Sequence, residues 1–435
     1  MKQDFFGRRS TSWWVVALAM IGSCMSGVSF VSVPGMVAGV GFGYLQMCIG
    51  FFLGYLLIAF VLMPLYFRLD VVSVYEYLER RFGVSSHRCG AWFFFVSKIL
   101  GAAVRLFLLC ATLQLLLLDS LGVPFPVTVL VCVLLLWLYT FKGGVRSVIW
   151  VDLVKTFCML GTAGACLYLI GREAGDFDWS MARVFYFDDF RHPQFFPKQV
   201  LGGMLTVLAM TGLDQDMMQR TLACRNVRDS QKNLVVSSIL QTVVIALFLI
   251  LGVRLYQFAA LHGIDASGDA LFPAVAWSGL LPPVVGGLFI VGLVSAGFPS
   301  GGSALTALTT SFTVDILGKA DNPRVRSLVH AGMAVLLGAC ILVFGALNTT
   351  STIDAVYRLA SYTYGPLLGL FAFGILCRAK LRDAWVPVVC IAAPLLCLLL
   401  DLNSEAWFGG YHFSYEILLL NAVFTALGLC CLIKK

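Results

Sequence analysis

Two pairs of charged residues stand inside long apolar stretches of this chain, at spacings that put the members of each pair on one side of a helix. Asp152 and Lys155, in the segment Trp150 to Phe157 that reads WVDLVKTF, are about one turn apart. Lys98 and Arg105, in Phe93 to Leu109, are about two turns apart on one face. A lone charge at the centre of a bilayer costs about 2.5 to 3.5 kcal/mol on insertion scales, so such groups are expected to pair or to serve an ion or substrate path. Asp152 and Lys155 are therefore expected to pair with each other or with a common site. For Lys98 and Arg105 the chemical reading is an anion site, because a guanidinium holds a carboxylate through a bidentate fork. The bland reading has Lys98 snorkelling toward the nearer membrane face and Arg105 meeting a helix carboxylate or backbone carbonyls.

Other chemistry is poorly supplied. The fourteen cysteines lie mostly in apolar segments, as Cys24, Cys110, Cys158 and Cys340 do, and without a Cys-x-x-Cys pair they read as small apolar fillers. The five histidines are scattered and form no His-Glu-x-x-His motif, so a membrane enzyme has no catalytic cluster to stand on.

The elements that must position these residues are long apolar runs. Of 435 residues, 60% are hydrophobic and 12% charged, a balance that excludes an ordinary water-soluble domain. A membrane-spanning helix needs about 20 apolar residues, and twelve runs of roughly that kind recur. They are Trp13 to Val33, Gly43 to Phe67, Gly90 to Leu118, Phe125 to Phe141, Val148 to Gly171, Val200 to Leu213 or a little beyond, and Leu234 to Phe258, followed by Val284 to Leu317, Leu328 to Leu347, Ile353 to Cys377, Trp385 to Leu402 and Phe413 to Ile433. The expectation is an all-α polytopic membrane protein with no soluble domain. No cleavable signal peptide is expected, and the first run stays in the membrane.

Lys and Arg gather in one set of alternate loops, among them Arg80, Arg81, Arg88, Lys142, Arg146, Arg220, Arg225, Arg228, Arg378 and Lys380. Short basic loops are retained in the cytoplasm, so both termini are expected there, in a multi-pass protein of the plasma (inner) membrane, with the long segment Glu173 to Gln199 outside. The net charge of +7 is thus a topology signal, and no nucleic-acid partner is expected.

Two runs have unusual centres. Ser23 to Ser29 and Ser295 to Ser303 replace bulky side chains with small and hydroxylated ones, and Thr306, Thr309, Thr310, Ser311 and Thr313 follow the second. A broken helix or a wet, ion-facing surface is one reading, and close packing through small residues is the other.

Several stretches, taken in order, resemble the sodium:solute symporter family, and the resemblance covers nearly the whole chain. They are Asp4-Phe5-Phe6 with Arg8 and Trp13-Trp14; Val72 to Gly83 (VSVYEYLERRFG); Gly143-Gly144-Val145 to Val151-Asp152; Asp214-Gln215 with Gln219-Arg220; and Tyr364-Gly365-Pro366-Leu367-Leu368-Gly369. The resemblance implies a LeuT-type inverted repeat of five plus five helices with two extra C-terminal helices. Residues 1–171 would form the first repeat, 200–377 the second, and 385–433 the peripheral pair, within one transporter domain. It implies a secondary transporter with sodium as coupling ion, no organic cofactor, a small organic solute as partner beside the lipid bilayer, and a monomer. Most members carry a further helix before the Asp-Phe-Phe stretch.

In that family one sodium lies between the first and eighth core helices. Mapped by motif, Gly22, Met25 and Ala296 would give carbonyls and Ser300 a hydroxyl, with Asp152 close by. The sequence departs from the pattern twice, since Pro299 stands where the first of two serines is usual and Lys155 where a glutamine is usual. Sodium wants several hard oxygens, so three outcomes stay open: the Lys155 ammonium replaces the ion, in a sodium-independent or proton-coupled transporter; Lys155 is a structural or snorkelling group beside a retained sodium; or transport is lost and the protein is a membrane sensor. Substrate in this fold lies between helices one, three, six and ten, which nominates Ser26, Ser29, Ser32, Lys98, Arg105, Thr206, Thr211, Arg358, Ser361 and Tyr362, and an anionic or zwitterionic solute.

Overall fold

The computed structural model describes residues 11–69, 73–140, 145–318, 322–347, 351–409 and 411–434. The motif residues Asp4 to Phe6, Arg8, Val72, Gly143 and Gly144 lie outside them. Every one of the twelve apolar runs coincides with a helix or a helix pair. The first is α1 (Trp13–Cys24) and α2 (Gly27–Gly35), bent by 61°. Then come α3 (Tyr44–Leu69), α4 (Val84–Leu121), α5 (Phe125–Thr140) and α6 (Val145–Glu173). The sixth run is α7 (Phe196–Val207, prolonged by a π turn over Leu208–Gly212), and the short polar α8 (Gln215–Leu222) follows it beyond the break. The last six are α9 (Val227–His262), α10 (Pro283–Ile316), α11 (Pro323–Leu347), α12 (Thr352–Leu376), α13 (Val386–Leu402) and α14 (Ile417–Cys430).

The two breaks follow from local chemistry. At the first, Met25 and Ser26 are extended, and Ser26 caps α2 through a reciprocal pair with Ser29: each backbone N–H is taken by the other's hydroxyl. Those two N–H groups would otherwise have bonded the carbonyls of Gly22 and Met25, which are thereby released. At the second, Asp214 is extended and its carboxylate accepts from the N–H groups of Asp216 and Met217, at 2.9 and 3.1 Å. The carbonyls of Gly212 and Leu213 are taken by the hydroxyls of Tyr66 and Tyr75, at 3.0 and 2.9 Å. Backbone at this depth finds no water, so irregular segments persist only where the protein supplies such partners.

Glycines set how closely the helices approach. A Cβ on Gly22 would lie 2.3 Å from the Asp152 carbonyl oxygen, so α1 and α6 touch backbone to backbone where the ion-site candidates meet. A Cβ on Gly203 of α7 would lie 2.3 Å from the Met47 carbonyl oxygen of α3. At the opposite extreme, a Cβ on Gly161 of α6 would meet nothing within 4 Å. Gly203→Ala is therefore expected to lower stability by about 1 to 3 kcal/mol through overpacking. Gly161→Ala should leave it unchanged or slightly raised. Unfolding temperatures in one detergent check both, and equal effects at the two positions would refute the close approach of α3 and α7.

Candidate substrate and ion site

Residues beside the two breaks line a common cavity of about 90 Å³. Its polar wall includes Ser23, Ser26 and Ser29 from the first break and Thr206 and Thr211 from the second. Arg105 reaches it from α4, Tyr55 and Gln241 from α3 and α9, and Tyr357 from α12. Cys24, Val28, Phe51, Val207, Met210, Met217, Ile353 and Val356 make the remainder. The hydroxyl of Tyr55 donates to Gln241 at 3.1 Å, and Tyr357 meets Tyr44 at 2.5 Å, so both rings are held in place. No Asp or Glu lines this cavity.

Beneath it lies a knot of buried charge. Lys98 donates to both oxygens of Asp214, at 3.2 and 3.1 Å, and to Asp216 at 3.0 Å. The other Asp216 oxygen is 3.0 Å from Arg220, whose Nε is 3.2 Å from Asp152. Asp152 also accepts from the Ser23 hydroxyl at 2.8 Å, and Tyr364 donates to Asp214 at 2.8 Å. Arg220 and Asp152, at 2% and 1% exposure, are as buried as any apolar core residue. Removing one member of such a pair strands the other and costs about 3 to 5 kcal/mol.

Lys155 stands apart from that knot. Its ammonium, on a side chain 1% exposed, donates to the Ser300 hydroxyl at 2.5 Å, and that hydroxyl donates to the Ala296 carbonyl at 2.9 Å. Pro299 has no N–H, so the Ser295 carbonyl one turn before it has lost its helical donor. Gly22 packs against the Asp152 backbone, and Asp152 and Ser300 line one small space with Ser23 and Ser26, so part of the expected set of hard-cation oxygens lies close together. The Ser300 oxygen is already engaged by Lys155.

Several expectations are corrected by this geometry. Asp152 and Lys155 do not pair: Asp152 turns to Arg220 and Ser23 across α8 and α1, and Lys155 to Ser300 on α10. Lys98 does not snorkel and does not line the central cavity but is held by two carboxylates, whereas Arg105 makes no ion pair among the described residues. Arg220, assigned from sequence to a basic loop, is inside the bundle. On α12, Arg358 is exposed and turns to Asp401, Tyr362 donates to Asp401 at 2.6 Å, and Ser361 donates to the Tyr357 carbonyl at 2.9 Å; none of them lines the cavity. Ser32 does not line it either.

Sequence reasoning missed Tyr55, Gln241 and Tyr357 as lining residues and Asp214 and Asp216 as partners of Lys98. The acids had a visible signal in the Asp-x-Asp that follows an apolar run. With every group ionised, Lys98, Arg105, Lys155 and Arg220 outnumber Asp152, Asp214 and Asp216 by one, and Arg105 is the cation left facing the cavity.

The sequence pattern of the sodium:solute symporter family matches residues 5–380. The human sodium/iodide cotransporter is 26% identical over 399 residues, covering 86% of this chain and 61% of that protein. This chain thus spans about three fifths of the length of that relative. A sodium/sialic acid symporter of Aliivibrio fischeri is 26% identical over 414 residues, covering 88% of this chain and 79% of that one. Among solved structures, the substrate-bound outward-open state of a Na+-coupled sialic acid symporter superposes with a TM-score of 0.77 at 19% identity, over 99% of this chain and 91% of its own. The shared architecture is the LeuT-type fold that the motifs led us to expect. With the family pattern running through most of its length, this chain belongs to the sodium:solute symporter family.

Proposed function

We propose that the protein is a secondary active transporter, with no enzymatic activity, that carries a small organic anion by alternating access. One observation carries the reading: Arg105 faces a cavity set at two helix breaks, with no carboxylate partner among the described residues. The hydroxyls around it suit the remaining oxygens of such a solute, and the apolar wall suits a short carbon skeleton. The lack of any Asp or Glu in that wall favours an anion over a zwitterion. Relatives include sialic acid symporters and, in mouse, a sodium-coupled monocarboxylate transporter, whose named substrates are carboxylates.

Residues 1–171 and 200–377 are proposed as the two repeats, each opening on a broken span, with 385–433 as the peripheral pair. The basic loops would lie in the cytoplasm together with both termini, the protein residing in the plasma membrane as a monomer. Breaks in corresponding positions of two halves are where this kind of transporter holds its ligands.

Sodium coupling, as named for the relatives, is the first reading of the ion site, with Gly22, Met25, Ala296, Ser300 and Asp152 around it. A second reading is favoured by the Lys155 ammonium on Ser300, since a fixed positive charge on that oxygen does what a bound cation would do there. In that case transport is sodium-independent.

Arg105→Ala in proteoliposomes is expected to weaken uptake of short carboxylates such as lactate or propionate by about 10- to 100-fold, the value of a charged hydrogen-bonding partner. Arg105→Lys should recover part of it, and normal uptake by Arg105→Ala would remove the anion reading. For the ion, saturable binding of radioactive sodium that is lost in Ser300→Ala and Asp152→Asn selects sodium coupling. Absence of binding in the wild type, with binding gained in the Lys155→Gln, Pro299→Ser double variant, selects the lysine.

A further inference from the structure

Between α4 and α12, adjoining the central cavity, lies a separate chamber of about 30 Å³. On α4 its wall is Ser97, Gly101 and Arg105, spaced four residues apart and so stacked on one face. On α12 it is Val356, Ala360 and Tyr364 at the same spacing. The chamber therefore runs along both helices from Arg105 toward the end where α4 begins.

Three features mark it as more than a packing gap. Ser97 is 6% exposed, and its hydroxyl has no hydrogen-bond partner among the described residues. A buried donor left in that state costs about 1 to 3 kcal/mol. A Cβ on Gly101 would meet nothing within 4 Å, so the middle of the wall is open space. Arg105 lines both this chamber and the central cavity. Lys98 and Asp214 also border the chamber, but they are joined to each other at 3.1 Å, and Lys98 to Asp216 at 3.0 Å, which leaves Arg105, a neighbour of Asp152 and Asp216 in a further small space, as the charged group of this wall with no ion pair among the described residues. A water needs about 10 to 15 Å³ on this measure, so the chamber has room for a monatomic anion or a carboxylate head.

We propose that this chamber is a second anion site, displaced from the central cavity toward the cytoplasmic end of α4, where the Ser97 hydroxyl receives a carboxylate that Arg105 still holds. It rests on the reading of Arg105 as the anion-binding group. Arg105 borders both spaces, so an anion passing between them keeps the same counter-charge beside it. The Ser97 O–H supplies the donor that is otherwise unused, and the Gly101 position leaves the passage clear.

Bromide, a monovalent anion located by its anomalous scattering, is a suitable probe in crystals of the full chain. The expected result is two sites, one in the central cavity at Arg105 and one beside Ser97. Gly101→Leu should lose the second and keep the first, and Ser97→Ala should lower its occupancy severalfold at the same bromide concentration. A central site alone in the wild type overturns the chamber and leaves the anion reading of Arg105 standing. Bromide at neither place overturns both. A chamber peak that persists undiminished in Ser97→Ala and Gly101→Leu is an adventitious ion only, and also overturns the proposal.

Discussion

Arg220 meets Asp152 on one side and Asp216 on the other, all three in the interior of a helical bundle. Charge at that depth has no water to turn to, so each member persists only while the others hold it. The helices that carry them cannot be placed independently. α8 must lie against α6 for Arg220 to reach Asp152, and α4 must present Lys98 to the acids that open α8. The same constraint governs the backbone: two broken spans are tolerated because Ser26, Ser29, Asp214, Tyr66 and Tyr75 take up the N–H and carbonyl groups that the breaks release.

From that requirement the site follows. Where helices break, side chains and carbonyls converge that would otherwise lie along separate walls, and a cavity opens between them. Three carboxylates are consumed in holding Lys98 and Arg220, leaving Arg105 turned to the cavity and Lys155 turned to Ser300. The division of labour is electrostatic. One cation makes no ion pair among the described residues, and another sits on the Ser300 oxygen that is proposed for a coupling ion. Close approach of α1 to α6 through Gly22 sets the end of α1 against the Asp152 backbone.

Much of this was legible in the sequence, for identifiable reasons. The lengths of the apolar runs set the helices, because hydrocarbon thickness fixes how many residues a span needs. The small, hydroxylated centre around Ser26 left a break and close packing both open, and the structure has the break there, whereas the similar stretch Ser295 to Ser303 lies inside the continuous α10. Asp152, Lys155, Lys98 and Arg105 were conspicuous because charge in an apolar run is costly and must have a partner or a task. Ser26, Ser29, Arg105, Thr206 and Thr211 do line one cavity.

Which partner each charge takes was beyond the sequence. Spacing along one helix left Asp152 and Lys155 to meet each other or a common site, and the groups that reach them, Arg220 and Ser300, are far away in the chain. Arg220 read as a loop residue because its short helix lies beyond the break at Asp214 and looks polar when taken alone. On α12, the side that faces the cavity is the one carrying Val356 and Tyr357, while Arg358 and Tyr362 turn toward Asp401 on α13. The sequence determined the helices and showed that Asp152, Lys155, Lys98 and Arg105 stand in apolar runs, since these depend on local composition and span length. Only the tertiary structure decided the pairings and the cavity wall, because they depend on the rotation and approach of helices packed from distant parts of the chain.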